Sequence, residues 1–284
     1  MKKNLGMETS KSLTDLLRSK TSSSNDIIAL TKALVFRGVS MPGLLFEKAA
    51  NLFRTKCNSL GDEKWSLIER ILLAAIKLGN EPWIAYCLKT LRVQFPKSVR
   101  VQRLGALYKE SCEDWEGAEL VYRNMLTVSP EDVYVRKRLI TCLKAQGRVS
   151  QAIGATIDQL ELFSSDSELW HELTMLYASE CAFSKAVGAS EELLLSDPTS
   201  FYNVLVHAEL VASAGDINLA SKYFCKALQM RPNELRALWG LLVCLVETPK
   251  SPLLPLTRTR IERLYLKESS LEATASLAVL KKIC

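Results

Sequence analysis

Apolar residues recur along most of this chain three or four positions apart, in runs of helical length that come in pairs and are broken by short polar turns. In the middle of the chain the pairs follow a 34-residue rhythm: Ala118, Ala152, Ala186 and Ala220 lie 34 apart, and Pro130, Pro198 and Pro232 each follow one of them by 12. The cleanest copy reads Trp170, Leu173, Tyr177, Ala186, Leu193, Pro198, and the next keeps Ala208, Ala220, Phe224, Ala227 and Pro232. An alanine at the same place in every copy marks a crossing where two helix backbones come too close for a longer side chain. Proline closes the second helix of each pair, because it has no N–H to donate and its ring clashes with the preceding turn. No segment reads as a strand.

This is the tetratricopeptide pattern, and it predicts an all-α fold: a tetratricopeptide-repeat superhelix, an α-solenoid of antiparallel helix pairs. Four regions follow. Residues 1–24, with Ser22-Ser23-Ser24 and little apolar periodicity, are expected to be a disordered tail. Residues 25–61 form a helical cap, with one helix from Asp26 to Phe36 and a second after Pro42-Gly43 carrying Leu45, Ala49, Leu52 and Phe53. Residues 62–248 are the repeat array. Residues 249–284 hold a proline-rich break and a capping helix from Thr257 onward, striped by Ile261, Leu264, Leu271, Leu277 and Leu280.

Within the array, Asp62 is expected to cap the first helix, Gly79 and Asn80 to end it, and Pro82 to open its partner. In the unit from Val99, Leu104, Gly105 and Tyr108 sit one residue out of step with Ala118 and Pro130, which predicts a one-residue insertion in the turn around Cys112 to Trp115. The unit from Val133 lacks the exit proline; Ser164-Ser165-Asp166-Ser167 replaces it and offers an N-cap.

Composition narrows the function. With 37 basic and 31 acidic residues the net charge is +6, too mild an excess to make nucleic acid the principal partner. Eight cysteines are scattered without a CxxC pair and only two histidines occur, so metal-ligand spacing is absent; the thiols read as reduced core residues of a cytosolic protein. Lys2 and Lys3 precede no apolar stretch, which argues against a secretory signal. The longest apolar run, around Leu238 to Val246, is about half of what a bilayer requires.

No phosphate-binding loop, dinucleotide fingerprint, HExxH or GxSxG occurs, so no catalytic, cofactor or metal residue is assigned. His207 stands at a repeat position that is normally apolar and reads as a core histidine. The first helix of each repeat turns its second, fifth, ninth and twelfth positions toward the concave side. There the chain places Arg100 and Arg103, then Lys137 and Lys144, then Glu168 and His171, and these six are the candidate partner-binding residues. Arg136 to Arg148 holds five basic residues and no acidic one, whereas residues 166–197 are mostly acidic, so the groove is expected to change sign along its length. The plainer reading is a solvated helix face.

Several strings go beyond the repeat consensus: Leu91-Arg92-Val93-Gln94-Phe95-Pro96, Arg100-Val101-Gln102-Arg103-Leu104, Arg136-Lys137-Arg138, Trp170-His171-Glu172-Leu173, Lys222-Tyr223-Phe224 and Arg236-Ala237-Leu238-Trp239-Gly240-Leu241. Over roughly residues 60–246 the chain resembles the second subunits of the endoplasmic reticulum membrane protein complex. The resemblance implies a non-catalytic scaffold, peripheral on the cytosolic face of the endoplasmic reticulum and reaching the membrane only through partners. Such a subunit cradles cytosolic segments of membrane-embedded subunits, docks peripheral ones, and serves energy-independent insertion of tail-anchored and multipass proteins. The alternatives are a co-chaperone or other adaptor holding a peptide in its groove, a pentatricopeptide RNA reader, and an enzyme built on helical repeats, for which no residues stand out. The first lacks asparagine at the clamp positions, and the second has a 35-residue period.

Overall fold

The computed structural model describes residues 42–56, 61–247, 252–267 and 275–280, and every regular element among them is helical. The expected helix from Asp26 to Phe36 lies outside the described residues. In chain order the helices are α1 (Pro42–Lys56), α2 (Glu63–Leu78), α3 (Glu81–Gln94), α4 (Val99–Ser111), α5 (Trp115–Val128), α6 (Val133–Ala145) and α7 (Val149–Leu162). They continue as α8 (Ser167–Ser179), α9 (Phe183–Ser196), α10 (Phe201–Ser213), α11 (Ile217–Met230), α12 (Leu235–Val246) and α13 (Leu253–Lys267). A short helical segment at 275–280 follows. This is the all-α tetratricopeptide architecture that the alanine–proline grid predicts.

From Val99 the period is strict: a 13-residue first helix, a three-residue turn, a 14-residue second helix and a four-residue turn, repeated from Val133, Ser167 and Phe201. The insertion expected near Cys112 is therefore absent. The turn after α4 has the same three residues as the others, and the apparent slip comes from Gly105, which occupies the seventh position while Leu104 fills the core from the sixth.

What sets the first turn is a left-handed residue at the same place in five successive copies among the described residues: Gly79 (φ 66°), Glu113 (60°), Gly147 (72°), Cys181 (55°) and Gly215 (98°). Glycine adopts that conformation freely, whereas a side chain costs roughly 1–2 kcal/mol there. Glu113 and Cys181 are exposed and carry this strain. Glu113→Gly and Cys181→Gly should each stabilise the fold by roughly 0.5–1 kcal/mol, because glycine's larger unfolded-state entropy offsets part of the relief. Urea unfolding checks it, and a loss of stability in both would deny the strain.

Caps follow the same grid. Asn80, Asp114 and Asp216 accept hydrogen bonds from the backbone N–H groups of Trp83, Gly117 and Leu219 at the starts of α3, α5 and α11. Asp166 accepts from the N–H groups of Glu168 and Leu169, as its place in the sequence suggested. Asp62, in contrast, makes no side-chain cap bond: its backbone is already helical, so the carboxylate does not face the first-turn N–H groups. Phe95, Ser129, Asp197 and Arg231 end the second helices outside the helical region, with ψ between 65° and 94°, each just before a proline that disfavours the helical conformation. Phe163 keeps that geometry without a proline, and there the Trp170 indole N–H donates to the Ser164 carbonyl at 2.7 Å.

Contacts divide the chain into two units, Met1–Cys142 and Leu143–Cys284. In the first, Ala49 and Phe53 of α1 pack with Ile68, Ile71 and Leu72 of α2, Ile84 and Leu88 of α3, and Leu104 of α4; Ala106, Ala118 and Tyr122 form a second cluster with Val135. In the second unit, Ala208, Ala220, Phe224 and Leu241 are the centre of a core running from α10 to α12. The alanines at 118, 152, 186 and 220 are all fully buried, as a close helix crossing requires. Gly240 belongs to the same logic, since a Cβ there would meet the Phe224 ring at 2.3 Å.

The C-terminal helix differs from expectation. It starts at Leu253 rather than Thr257, with Pro255 in its first turn, where the missing N–H has no helical acceptor in any case. Ile261 of α13 and Leu280 of the following segment bury against Leu238 and Leu242, and the Trp239 indole donates to the Tyr265 hydroxyl at 3.0 Å, covering the outer face of α12. Leu271 lies outside the described residues.

Candidate partner-binding face

The even-numbered helices from α2 to α12 are the first helices of their pairs, and their exposed positions define the candidate face. A regular stitch joins neighbouring first helices within each unit. The fifth position of one meets the second position of the next, 31 residues on. Glu69 accepts from Arg100 at 2.8 Å, the Arg103 guanidinium lies 5.1 Å over the Tyr134 ring, and His171 stacks on Tyr202 with centroids 5.8 Å apart. The twelfth position meets the sixth, 28 residues on: Glu110 with Arg138, and Lys144 with Glu172. Arg103 is also paired with Asp132, and Arg236 binds Glu209 through both guanidinium edges at 2.6 and 2.7 Å.

Four of the six candidate residues are thus engaged inside the chain: Arg100, Arg103, Lys144 and His171. Lys137 sits half-buried on α6 and Glu168 exposed at the start of α8, and neither is free of interactions. Part of the clustering of like charges has a physical cause in this geometry, since Arg100, Arg103, Arg138 and Lys144 each sit where a neighbouring element offers a carboxylate. Sequence reading missed those partners (Glu69, Glu110, Asp132, Glu172 and Glu209), although spacings of 27 to 31 residues were there to find them. Exposed pairs of this kind contribute only about 0.2–1 kcal/mol each. Arg100 remains 71% exposed despite its partner and can still meet an incoming carboxylate.

Apolar side chains on the same face were also missed. Leu73 and Tyr134 in the first unit, and Met175, Tyr202, Val243 and Val246 in the second, are exposed at second, ninth or twelfth positions.

Burial pushes the Cys87 thiol up to about 12 and raises those of Cys142, Cys225 and Cys244, which leaves them protonated and unreactive. His207 is fully buried, as its position suggested: its Nδ1 lies 2.7 Å from the Ser190 hydroxyl, its ring meets Tyr223 edge-on at 4.4 Å, and Nε2 has no partner. Among the described residues no cluster of histidine, cysteine and carboxylate side chains could hold a metal ion.

Helix pairs of fixed length, left-handed turn residues on a 34-residue grid and alanine crossings define a tetratricopeptide-repeat protein. A family model described as the EMC2 TPR-like repeat domain matches residues 89–216. The chain is 36% identical over 211 residues to ER membrane protein complex subunit 2-A of Xenopus laevis, covering 73% of this chain and 71% of that one. It is 26% identical over 221 residues to the TPR repeat protein oca3 of Schizosaccharomyces pombe, covering 75% of each. The chain belongs to the ER membrane protein complex subunit 2 family. Among solved structures, the C-terminal part of a TPR repeat-containing protein from Cytophaga hutchinsonii matches at a TM-score of 0.61 and 16% identity, over 82% of this chain and 99% of that one, a likeness of fold.

Proposed function

We propose that this protein is a non-catalytic scaffold subunit of an endoplasmic reticulum membrane protein complex, held peripherally at the cytosolic face of that membrane. The observation that carries this reading is the 36% identity to a subunit 2 over most of both chains. Its task is to hold cytosolic segments of membrane-embedded subunits and to dock peripheral ones, so that the assembled complex inserts tail-anchored and multipass proteins without consuming nucleotide. The first helices of each unit support this role: in the first unit Arg100, Arg103 and Lys137 share these helices with the exposed Tyr134, and in the second Lys144, Glu168 and His171 share them with the exposed Met175 and Tyr202. Within each unit the stitches between neighbouring helices restrain the exposed side chains, which lowers the entropy cost of binding. No helix among the described residues is long and apolar enough to cross a membrane. In this reading attachment runs through partner subunits and no nucleic acid takes part.

Alkaline carbonate should accordingly release the protein from microsomes, and its depletion should lower insertion of a tail-anchored reporter, restored by the intact chain. Normal reporter insertion after complete depletion would refute the insertase role. Retention in the carbonate pellet would refute peripheral attachment.

A further inference from the structure

The first unit contains an opening that the repeat pattern explains. At the seventh position of the first helix other copies place Ile71, Leu139, Leu173, His207 and Leu241, large side chains that fill the space between successive helices. In α4 that position is Gly105. Gly105 forms part of the wall of an open cleft of about 640 Å³, lined also by Ala85, Leu88, Val93 and Tyr108. A second cavity of about 340 Å³ adjoins it through Arg92, Gly105 and Lys109, and extends the apolar floor to Val101, Ala106 and Val121.

The rim is basic. Lys109 is tied to Asp114 at 3.1 Å, but Lys89 and Arg92, both exposed, have no hydrogen-bond or ion-pair partner among the described residues. This sets them apart from Arg100, Arg103, Arg138, Lys144 and Arg236, each of which is paired with a carboxylate. Arg92 Nη2 reaches to 3.0 Å from where a Gly105 Cβ would be, so its charge hangs over the gap itself. Val93 is 76% exposed at the edge.

We propose that the α3–α4 cleft is a docking site for an acidic-flanked apolar segment of a partner protein, which seats a bulky side chain over Gly105 and sets glutamate or aspartate beside Lys89 and Arg92. A recessed apolar floor under two uncompensated cations matches such a segment in shape and charge, whereas a lipid surface is flat and cannot enter the gap. The chemistry of this site does not depend on which complex the chain joins.

Two labelled synthetic peptides with the same leucine–phenylalanine core, one flanked by glutamates and one by lysines, test it by fluorescence anisotropy on the full chain. The glutamate peptide should bind, more weakly as salt rises, and the lysine peptide should not. Lys89→Glu with Arg92→Glu should weaken the glutamate peptide at least about tenfold and admit the lysine peptide, a swap that a merely damaged fold would not produce. Equal binding of both peptides, binding of neither, or an affinity unchanged by the double reversal would overturn the proposal. So would binding of phosphatidylserine vesicles in place of the glutamate peptide.

Discussion

Arg138→Leu is expected to lower the unfolding free energy by about 3 kcal/mol, the low end of what breaking a buried ion pair costs. Glu110, near the end of α4, is only 7% exposed. Its carboxylate is satisfied from two sides: the Tyr122 hydroxyl donates to Oε1 at 2.5 Å, and Arg138 reaches both oxygens, with Nε 3.1 Å from Oε1 and a terminal nitrogen on Oε2. Burial lowers the Arg138 guanidinium and raises the Tyr122 phenol, as expected for groups withdrawn from water. Removing the arginine leaves a buried carboxylate with one neutral donor. Arg138 is about a third exposed, so water can replace part of what is lost, which is why the low end applies. The combined variant Glu110→Leu, Tyr122→Phe, Arg138→Leu leaves no orphaned polar group and should match or exceed the parent. Urea unfolding of both variants decides this, and a parent-like Arg138→Leu would show that the pair contributes nothing.

Acid should weaken the fold through His207. Burial, with a smaller contribution from the Lys226 charge, pushes its pKa down from 6.5 to about 4. The unfolded chain therefore takes up a proton as the pH falls through 6.5, while the folded chain resists until about pH 4, so the stability this neutral imidazole contributes above pH 6.5 is lost in that window. Between pH 7 and pH 4.5 the loss amounts to about 2 kcal/mol. His207→Leu supplies the side chain that Leu173 and Leu241 place at the same repeat position. Ser190 keeps its bond to the Val187 carbonyl at 2.7 Å. The difference in acid sensitivity between parent and variant isolates the histidine from every other titrating group. Equal acid sensitivity in both would mean that His207 is protonated in the fold at no cost.

The helices were legible from the sequence because alanine crossings and exit prolines recur at fixed places, and both are backbone constraints that a single residue reports. Left-handed turns were legible where glycine marks them, at Gly79, Gly147 and Gly215, and invisible at Glu113 and Cys181, where the repeat geometry overrides local preference. The slip read at Leu104–Tyr108 arose because Gly105 removes the apolar residue by which register is recognised, although α4 itself never shifts. At the candidate face, the positions that turn outward follow from helical periodicity. Their partners do not, since Glu69 and Arg100 meet only once two repeats are stacked. The cleft beside Gly105 was hidden for the same reason, because its walls come from α3 and α4 and meet only when those helices pack.

Affinity purification of the tagged full chain from cells in mild detergent, read by mass spectrometry, tests the scaffold assignment most directly. Membrane-embedded and peripheral subunits of the endoplasmic reticulum membrane protein complex should co-purify in near-equal amounts. Recovery of cytosolic chaperones or RNA-bound proteins, with those subunits absent, would contradict it.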